Sequence, residues 1–328
     1  MAKTTKGVIL AITLNLASWV AMGQDPHFSQ FYANPLYVNP AFAGVDRCPT
    51  VHLNYRNQYP AMGVYQTYAA SYDQYVEGIK GGLGFTALQD EAGDGALSLT
   101  EVSGIYSYHL AVNRKFSILA GFQATFRQRA LQWDKLTFPD QIDEFYGFVK
   151  PTNELPPTNQ NVYNLDLSVG FIGFTKNFYV GVAAHHLTEP DEAFLTEGKL
   201  PFKFTAHAGA SIPLGRKRLH NATQNMLIPN VIYQNQGGAS QTTLGLSFNR
   251  SAISGGLGYR FGERNPDAIV ILLGFDPGNI PVSFGYSYDY TVNDLTNNAG
   301  GAHELSLKYS FPCRVPKKRL QQLQCPKF

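Results

Sequence analysis

The side chains with the most chemical capacity in this sequence are five histidines, His109, His185, His186, His207 and His303, together with carboxylates such as Glu101 and Asp166. Groups of this kind serve a hydrolase when a nucleophile, a base and an orienting acid lie within hydrogen-bond reach, or a metal when several converge on one point. The motifs that would announce either arrangement, GxSxG, HExxH and the P-loop, do not occur. His185 and His186 are adjacent in a strand-like segment, so their side chains are expected on opposite faces, where they could not chelate one metal together. Their expected place is interfacial, just before Leu187-Thr188-Glu189-Pro190. CxxC is absent as well, so neither zinc nor thioredoxin chemistry is indicated. The expectation is a chain with no catalytic residues, no metal and no cofactor.

The segments that carry these histidines and carboxylates explain the scatter. In Phe116–Phe126, Phe116, Ile118, Ala120, Phe122, Ala124 and Phe126 alternate with Ser117, Gly121, Gln123 and Thr125. The same period of two recurs in Leu53 and Tyr55 against His52, Asn54 and Arg56, and in Phe204, Ala206 and Ala208 against Thr205 and His207. It returns in Tyr286 and Tyr288 against Ser287 and Asp289, and in Leu305, Leu307, Tyr309 and Phe311 against Glu304, Ser306 and Lys308. Strict alternation means a strand with one face in an apolar medium and the other against polar groups or water. About fourteen such strands can be counted, many of them 9–11 residues long, the span a tilted transmembrane strand needs. The polar residues are then a barrel interior. The fold class expected is all-β, a monomeric transmembrane antiparallel barrel of about fourteen strands.

Composition agrees. Only 15% of the 328 residues are charged, and 31 Gly, 19 Tyr and 22 Phe suit strands, tight turns and membrane interfaces. Residues 1–23 read as a cleaved signal peptide, with Lys3 and Lys6 before an apolar run and Ala21-Met22-Gly23 at its end. Removing those two lysines from the 26 basic residues leaves 24 against 24 acidic ones, so charge suggests no nucleic-acid partner. Connections alternate in length. Those at 76–80, 111–115, 175–177, 249–251 and 276–279 are short, with 214–224 the one longer exception on that side, while 57–65, 90–96, 130–161, 187–201 and 291–302 are mostly longer. Short periplasmic turns and long outer loops are the rule of outer-membrane barrels.

Four regions could contact partners or close the molecule. Residues 24–47 form a lead with two Asn-Pro pairs, Asn34-Pro35 and Asn39-Pro40, which suit an ordered, turn-rich segment in the periplasm. It would either seal one end of the barrel or offer Tyr32, Asn34, Pro35, Asn39 and Pro40 as a docking epitope. The barrel itself would run over 48–311, followed by a basic periplasmic tail, 312–328. The outer loop 130–161 offers Trp133, Phe138, Phe145 and Tyr146 as aromatic anchors. Of the three cysteines, Cys48 and Cys313 flank the first and last strands, which neighbour each other in a closed barrel. A Cys48–Cys313 bridge would clasp that seam, with Cys313–Cys325 as the competitor.

Several of these stretches together resemble the PorP/SprF family of type IX secretion outer-membrane proteins of Bacteroidetes. They are Phe31 to Gly44, His52 to Gln58, Ala70 to Asp73, Gly81 to Gly84, Asp90 to Gly93 and His186 to Pro190. Phe204 to His207, Tyr259-Arg260, Tyr286 to Tyr290 and His303-Glu304 complete the set. The likeness covers essentially the whole mature chain, with the Asn-Pro lead its most specific piece. It implies a non-enzymatic barrel of the bacterial outer membrane, embedded in its lipid. Such a barrel would bind, help secrete or anchor cargo and gliding-motility adhesins that carry a C-terminal sorting domain at the cell surface. Its partners would include periplasmic components of the machinery, a peptidoglycan-associated protein among them. The alternative from the residues alone is a channel or porin-like transporter, since fourteen strands can enclose a polar lumen.

Overall fold

The computed structural model describes residues 25–61, 63, 65–113, 115–143, 145–195, 198–215, 225–263, 266–278, 280–292 and 300–313. The signal segment 1–23, the tail from Arg314 onward with Cys325, and Glu144 and Glu197 lie outside them. Fourteen antiparallel strands close into a barrel. They are β1 (Thr50–Gln58), β2 (Tyr65–Val76), β3 (Gly81–Ala92), β4 (Leu97–Ala111), β5 (Ser117–Leu131), β6 (Asn161–Phe174) and β7 (Phe178–His185). There follow β8 (Lys203–Ala210, resumed at Ile212–Leu214), β9 (Asn225–Gln236), β10 (Ala239–Arg250), β11 (Ile253–Gly262), β12 (Pro266–Phe275), β13 (Val282–Thr291) and β14 (Ala302–Ser310). Each strand pairs with its sequence neighbours, and β1 pairs with β14 from Thr50 opposite Ser310 to Gln58 opposite Ala302. The disulfide Cys48–Cys313, with Cα atoms 5.5 Å apart, sits at the foot of that seam.

The alternation places the side chains. Leu53, Phe85, Phe122, Phe171, Leu244, Ile271, Phe284 and Leu305 point outward and are exposed. His52, Arg56, Ser107, Thr125, Asp166, Thr205, His207, Asp289 and Glu304 point inward and are buried. Exposed apolar residues and a buried polar set invert the order of a water-soluble protein, and this inversion is what a barrel wall in hydrocarbon requires. At the turn end the strands are joined by residues 77–80, 112–116, 175–177, 215–224, 251–252 and 276–281; at the loop end the connections are 59–64, 93–96, 132–160, 186–202, 237–238, 263–265 and 292–301.

Two expectations are corrected. Residues 25–46 do not lie outside the barrel at one end; they run inside the lumen from the loop end, where Asp25 meets Lys203, to the turn end, where Gly44 donates to Asp73. His185 and His186 do not face opposite ways at an interface. The strand stops at His185, His186 takes a left-handed φ of 58°, and both rings turn into the lumen, buried.

Candidate functional site

The lumen is built around the lead, and the lead's shape follows from its two Asn-Pro pairs. Proline needs no N–H partner in the first turn of a helix, so Pro35 opens the single turn Pro35–Val38 and Pro40 opens the 3-10 turn Pro40–Phe42. Between them Asn39 is extended, and its side chain accepts from the Ala41 N–H (2.9 Å). The two turns bury Leu36, Ala41, Phe42, Ala43 and Val45 against the wall residues Ile105, Leu119, Ile172 and Phe174.

The wall has been shaped to receive this backbone. A Cβ on Gly170 would stand 2.0 Å from Asn39 Oδ1, and one on Gly82 would stand 1.9 Å from the Ala43 carbonyl oxygen. Only glycine permits so close an approach. Inward polar side chains then satisfy the lead's groups. Ser107 Oγ donates to Ala41 O (2.9 Å), His109 Nε2 lies 2.8 Å from Ala43 O, and Asn39 Nδ2 donates to Val182 O (3.0 Å) with His207 Nε2 at 3.0 Å.

Nearer the loop end two charged clusters hold the lead. In the first, Glu304 accepts from the backbone N–H groups of Ser29 (2.8 Å) and Gln30 (3.1 Å). Arg56 bridges Glu304 (3.1 Å) and Asp289 (2.9 Å), and Arg260 joins Asp289 (2.8 Å) and Asp267. Ser29 Oγ donates to Asp289 (2.6 Å) at the centre. In the second, Asp25 meets His186 (2.6 Å) and Lys203 (3.2 Å), and the other nitrogen of His186 meets Asp166 (2.8 Å). Arg127 pairs with Glu101 and Glu192 beside them. Burial alone would disfavour charge on His186, which lies beyond the strands. The carboxylates of Asp25 and Asp166 outweigh it and push the imidazole up to about 9. Burial likewise opposes the Asp25 carboxylate, yet Lys203 and His186 hold it well below the usual range. Both nitrogens of His186 are engaged by carboxylates, so this cluster works as an ion-pair latch.

The expected site residues separate into three groups. Asn34, Asn39 and Pro40 are buried inside the barrel and present no surface, which corrects their reading as a docking epitope. Tyr32 and Pro35 are half-buried and line a 280 Å³ cavity that opens at the turn end between the lead, His52 and Ile280. The four loop aromatics divide again. Trp133 and Phe138 pack against each other with ring centroids 4.8 Å apart and planes tilted by 36°, both half-buried. Phe145 and Tyr146 sit at the tip of a small ribbon, Ile142–Asp143 with Gly147–Phe148, and are 88% and 80% exposed. Their N–H groups donate to Asp143 Oδ1 (2.9 and 3.2 Å), so the tip is held in shape.

Above the lead the barrel mouth is a 900 Å³ vestibule with Asp25, Pro26 and His27 on its floor. Arginines, carboxylates and the amides of Gln234, Gln236 and Gln241 line its sides. His27 Nε2 and Gln236 Nε2, on residues that border this space, are buried and find no partner among the described residues. The charged clusters below it were not anticipated as a unit. Their signal was available: Arg56, Arg260, Asp289 and Glu304 are charges at inward positions of membrane strands, where an ionisable group needs a partner. Four fragments far apart in sequence meet at Ser29 and Gln30.

No match was found among curated proteins. Among solved structures the chain is similar to a monoaromatic hydrocarbon channel, the TodX deltaS2S3 mutant, at 10% identity over 84% of this chain and 93% of that one, with a TM-score of 0.49. It is similar to the Acinetobacter baumannii outer membrane protein Omp33 at 10% identity over 82% and 100%, TM-score 0.45. It is also similar to a Pseudomonas aeruginosa FadL homologue at 13% identity over 84% and 93%, TM-score 0.43. The sequence of residues 20–309 matches the family described as type IX secretion system membrane protein PorP/SprF. A closed fourteen-strand barrel with an apolar outer belt, filled by an Asn-Pro lead, thus belongs to the PorP/SprF family of type IX secretion system membrane proteins.

Proposed function

We propose that this outer-membrane barrel is a plugged, non-conducting platform that binds no substrate for chemistry and holds secreted cargo with a C-terminal sorting domain at its outer mouth. The observation that carries the reading is the lead: residues 25–46 fill the lumen with a buried, hydrogen-bonded segment where a porin would have water. The longest connections, 132–160 and 186–202, lie at the loop end, which supports a loop end outside and a seam disulfide in the periplasm. In this reading the vestibule and the ribbon tip bearing the exposed Phe145 and Tyr146 face the surface, where cargo arrives. Exposed aromatics on a structured loop are what a protein interface uses as anchors. On the periplasmic side, the cavity beside Tyr32 and Pro35 is the contact point for the secretion apparatus.

Two experiments test this. The intact protein in a planar bilayer is expected to give a closed trace, and a variant lacking residues 25–46 a steady conductance; steady conductance of the intact protein would return the reading to a channel. A tagged protein drawn from detergent-solubilised outer membranes is expected to bring a large surface protein with a C-terminal sorting domain and periplasmic components. A monomer without companions after crosslinking would overturn the platform.

A further inference from the structure

The outer wall is not evenly rough. Across the seam it carries a groove of 860 Å³ that runs over the strands from β12 to β4. The strand registers define its course. Phe275 lies opposite Phe284, Phe284 opposite Leu307, Leu307 opposite Leu53, Leu53 opposite Ala70 and Ala70 opposite Ala87. Six outward positions in one hydrogen-bonding row, at about 4.8 Å per strand, span about 24 Å. Strands in such barrels tilt by roughly 40°, so the row descends obliquely through a hydrocarbon core about 30 Å thick.

The groove exists because the row ends in alanines. On either side of the Ala70–Ala87 pair stand bulky outward residues: Tyr68 on one flank, Tyr72 opposite Phe85 on the other. Between these flanks the groove is floored by two methyl groups, and Leu53, Leu307, Phe284 and Phe275 line the rest of its course. Its two ends differ in chemistry. At the turn end it finishes among Leu273, Phe275 and Phe284. At the loop end it reaches Gln89 and Thr100, which face each other in register, and Gln89 donates to Glu91 (2.8 Å). An apolar slot with one polar end, immersed in the membrane, fits a linear apolar chain with a polar head. A neighbouring barrel presents a convex wall, which meets the flanking Tyr68, Tyr72 and Phe85 before it reaches the Ala70–Ala87 floor.

The geometry points to a lipid site: the seam groove holds one acyl chain of a membrane lipid, with its head group at Gln89 and Thr100 and its tail running across β2, β1 and β14. This occupant covers the seam that the Cys48–Cys313 bridge closes from below, so the join of first and last strands is sealed on its outer face as well.

Photocrosslinking tests it. The intact protein is reconstituted into phosphatidylethanolamine vesicles doped with a phospholipid bearing a diazirine on its acyl chain, and adducts are mapped by mass spectrometry. Adducts are expected to concentrate on Leu53, Ala70, Ala87 and Leu307. Ala70→Phe with Ala87→Phe, which fills the slot, is expected to lower their yield at least fivefold. Ala124→Phe, outward on β5, is expected to leave it unchanged. Heat-modifiable migration in gels checks that each variant is a closed barrel; if the slot-filled pair fails that check, Ala87→Leu alone is read instead. Adducts spread evenly to Phe122, Leu165 and Val180 would reduce the groove to ordinary annular lipid. Disulfide-linked dimers of an Ala70→Cys variant, formed on oxidation in the same vesicles, would make it a barrel–barrel contact. Either result overturns the proposal.

Discussion

The tie between Glu304 and the lead is open to a sharp test with Glu304→Ala. Glu304 is completely buried, and its two oxygens accept from the Ser29 and Gln30 amides and from Arg56. A hydrogen bond to a charged group contributes about 1.5–3 kcal/mol, so losing two donors' common acceptor should weaken the local seat of the lead by about 3 kcal/mol. At about 1.4 kcal/mol per factor of ten, the Ser29 and Gln30 amides should exchange with deuterium roughly 100-fold faster. Arg56 would then keep only Asp289, which it shares with Arg260 while Arg260 also retains Asp267, so one buried ion pair is broken and the barrel as a whole should lose about 3–5 kcal/mol as well. Exchange resolved by residue separates the two effects. The Ala41 amide, bonded to Asn39 Oδ1 at 2.9 Å, should slow or quicken only with global stability. Glu304→Gln, which keeps an acceptor without the charge, should fall between. Unchanged exchange at Ser29 and Gln30 would refute the role given to this carboxylate.

Other outcomes follow from the same geometry. Gly170→Val should unseat the middle of the lead, because its side chain would occupy the place of Asn39 Oδ1; faster proteolysis of the lead in a barrel that still migrates as folded is the readout. The His186 latch gains its stability from an imidazolium whose pKa is raised above its unfolded value near 6.5. It should be complete below that pH and fade as pH rises through about 9, loosening the lead near Asp25 while Lys203 and Arg127 still hold part of it. In His186→Ala this pH dependence of Asp25 amide exchange should disappear. Reducing the Cys48–Cys313 bond frees a 265-residue separation, a contribution of up to about 5 kcal/mol in the chain-entropy picture, so Cys48→Ser should lower the thermal transition measurably. Phe145→Ala with Tyr146→Ala should release cargo from the cell surface without changing barrel stability; cargo retained at the wild-type level would assign these rings another role.

The wall was legible because a barrel strand obeys a local rule. Residue by residue, Phe122 outward and Thr125 inward follow from a period of two, and the medium on each side selects the residue type. Strand number, the neighbouring of β1 and β14 and the alternation of turn and loop lengths follow from the same rule repeated along the chain. The resemblance carried by Phe31 to Gly44 pointed to the family on the same local footing. Tertiary structure decided where that segment goes. Nothing in Asn34-Pro35 or Asn39-Pro40 tells whether two tight turns lie below a barrel or inside it. The answer depends on Gly82, Gly121 and Gly170, on three different strands, leaving room for one backbone. His186 shows the same limit. Strand parity sent it outward, but a left-handed φ, stabilised by Asp25 and Asp166 from 161 and 20 residues away, turned it inward. Local chemistry determined each strand and each turn. The distant pairings of Arg56, Asp289 and Glu304 with Ser29 and Gln30 determined that the barrel is filled, because buried charges are stable only where their partners meet, and that meeting exists only in the closed fold.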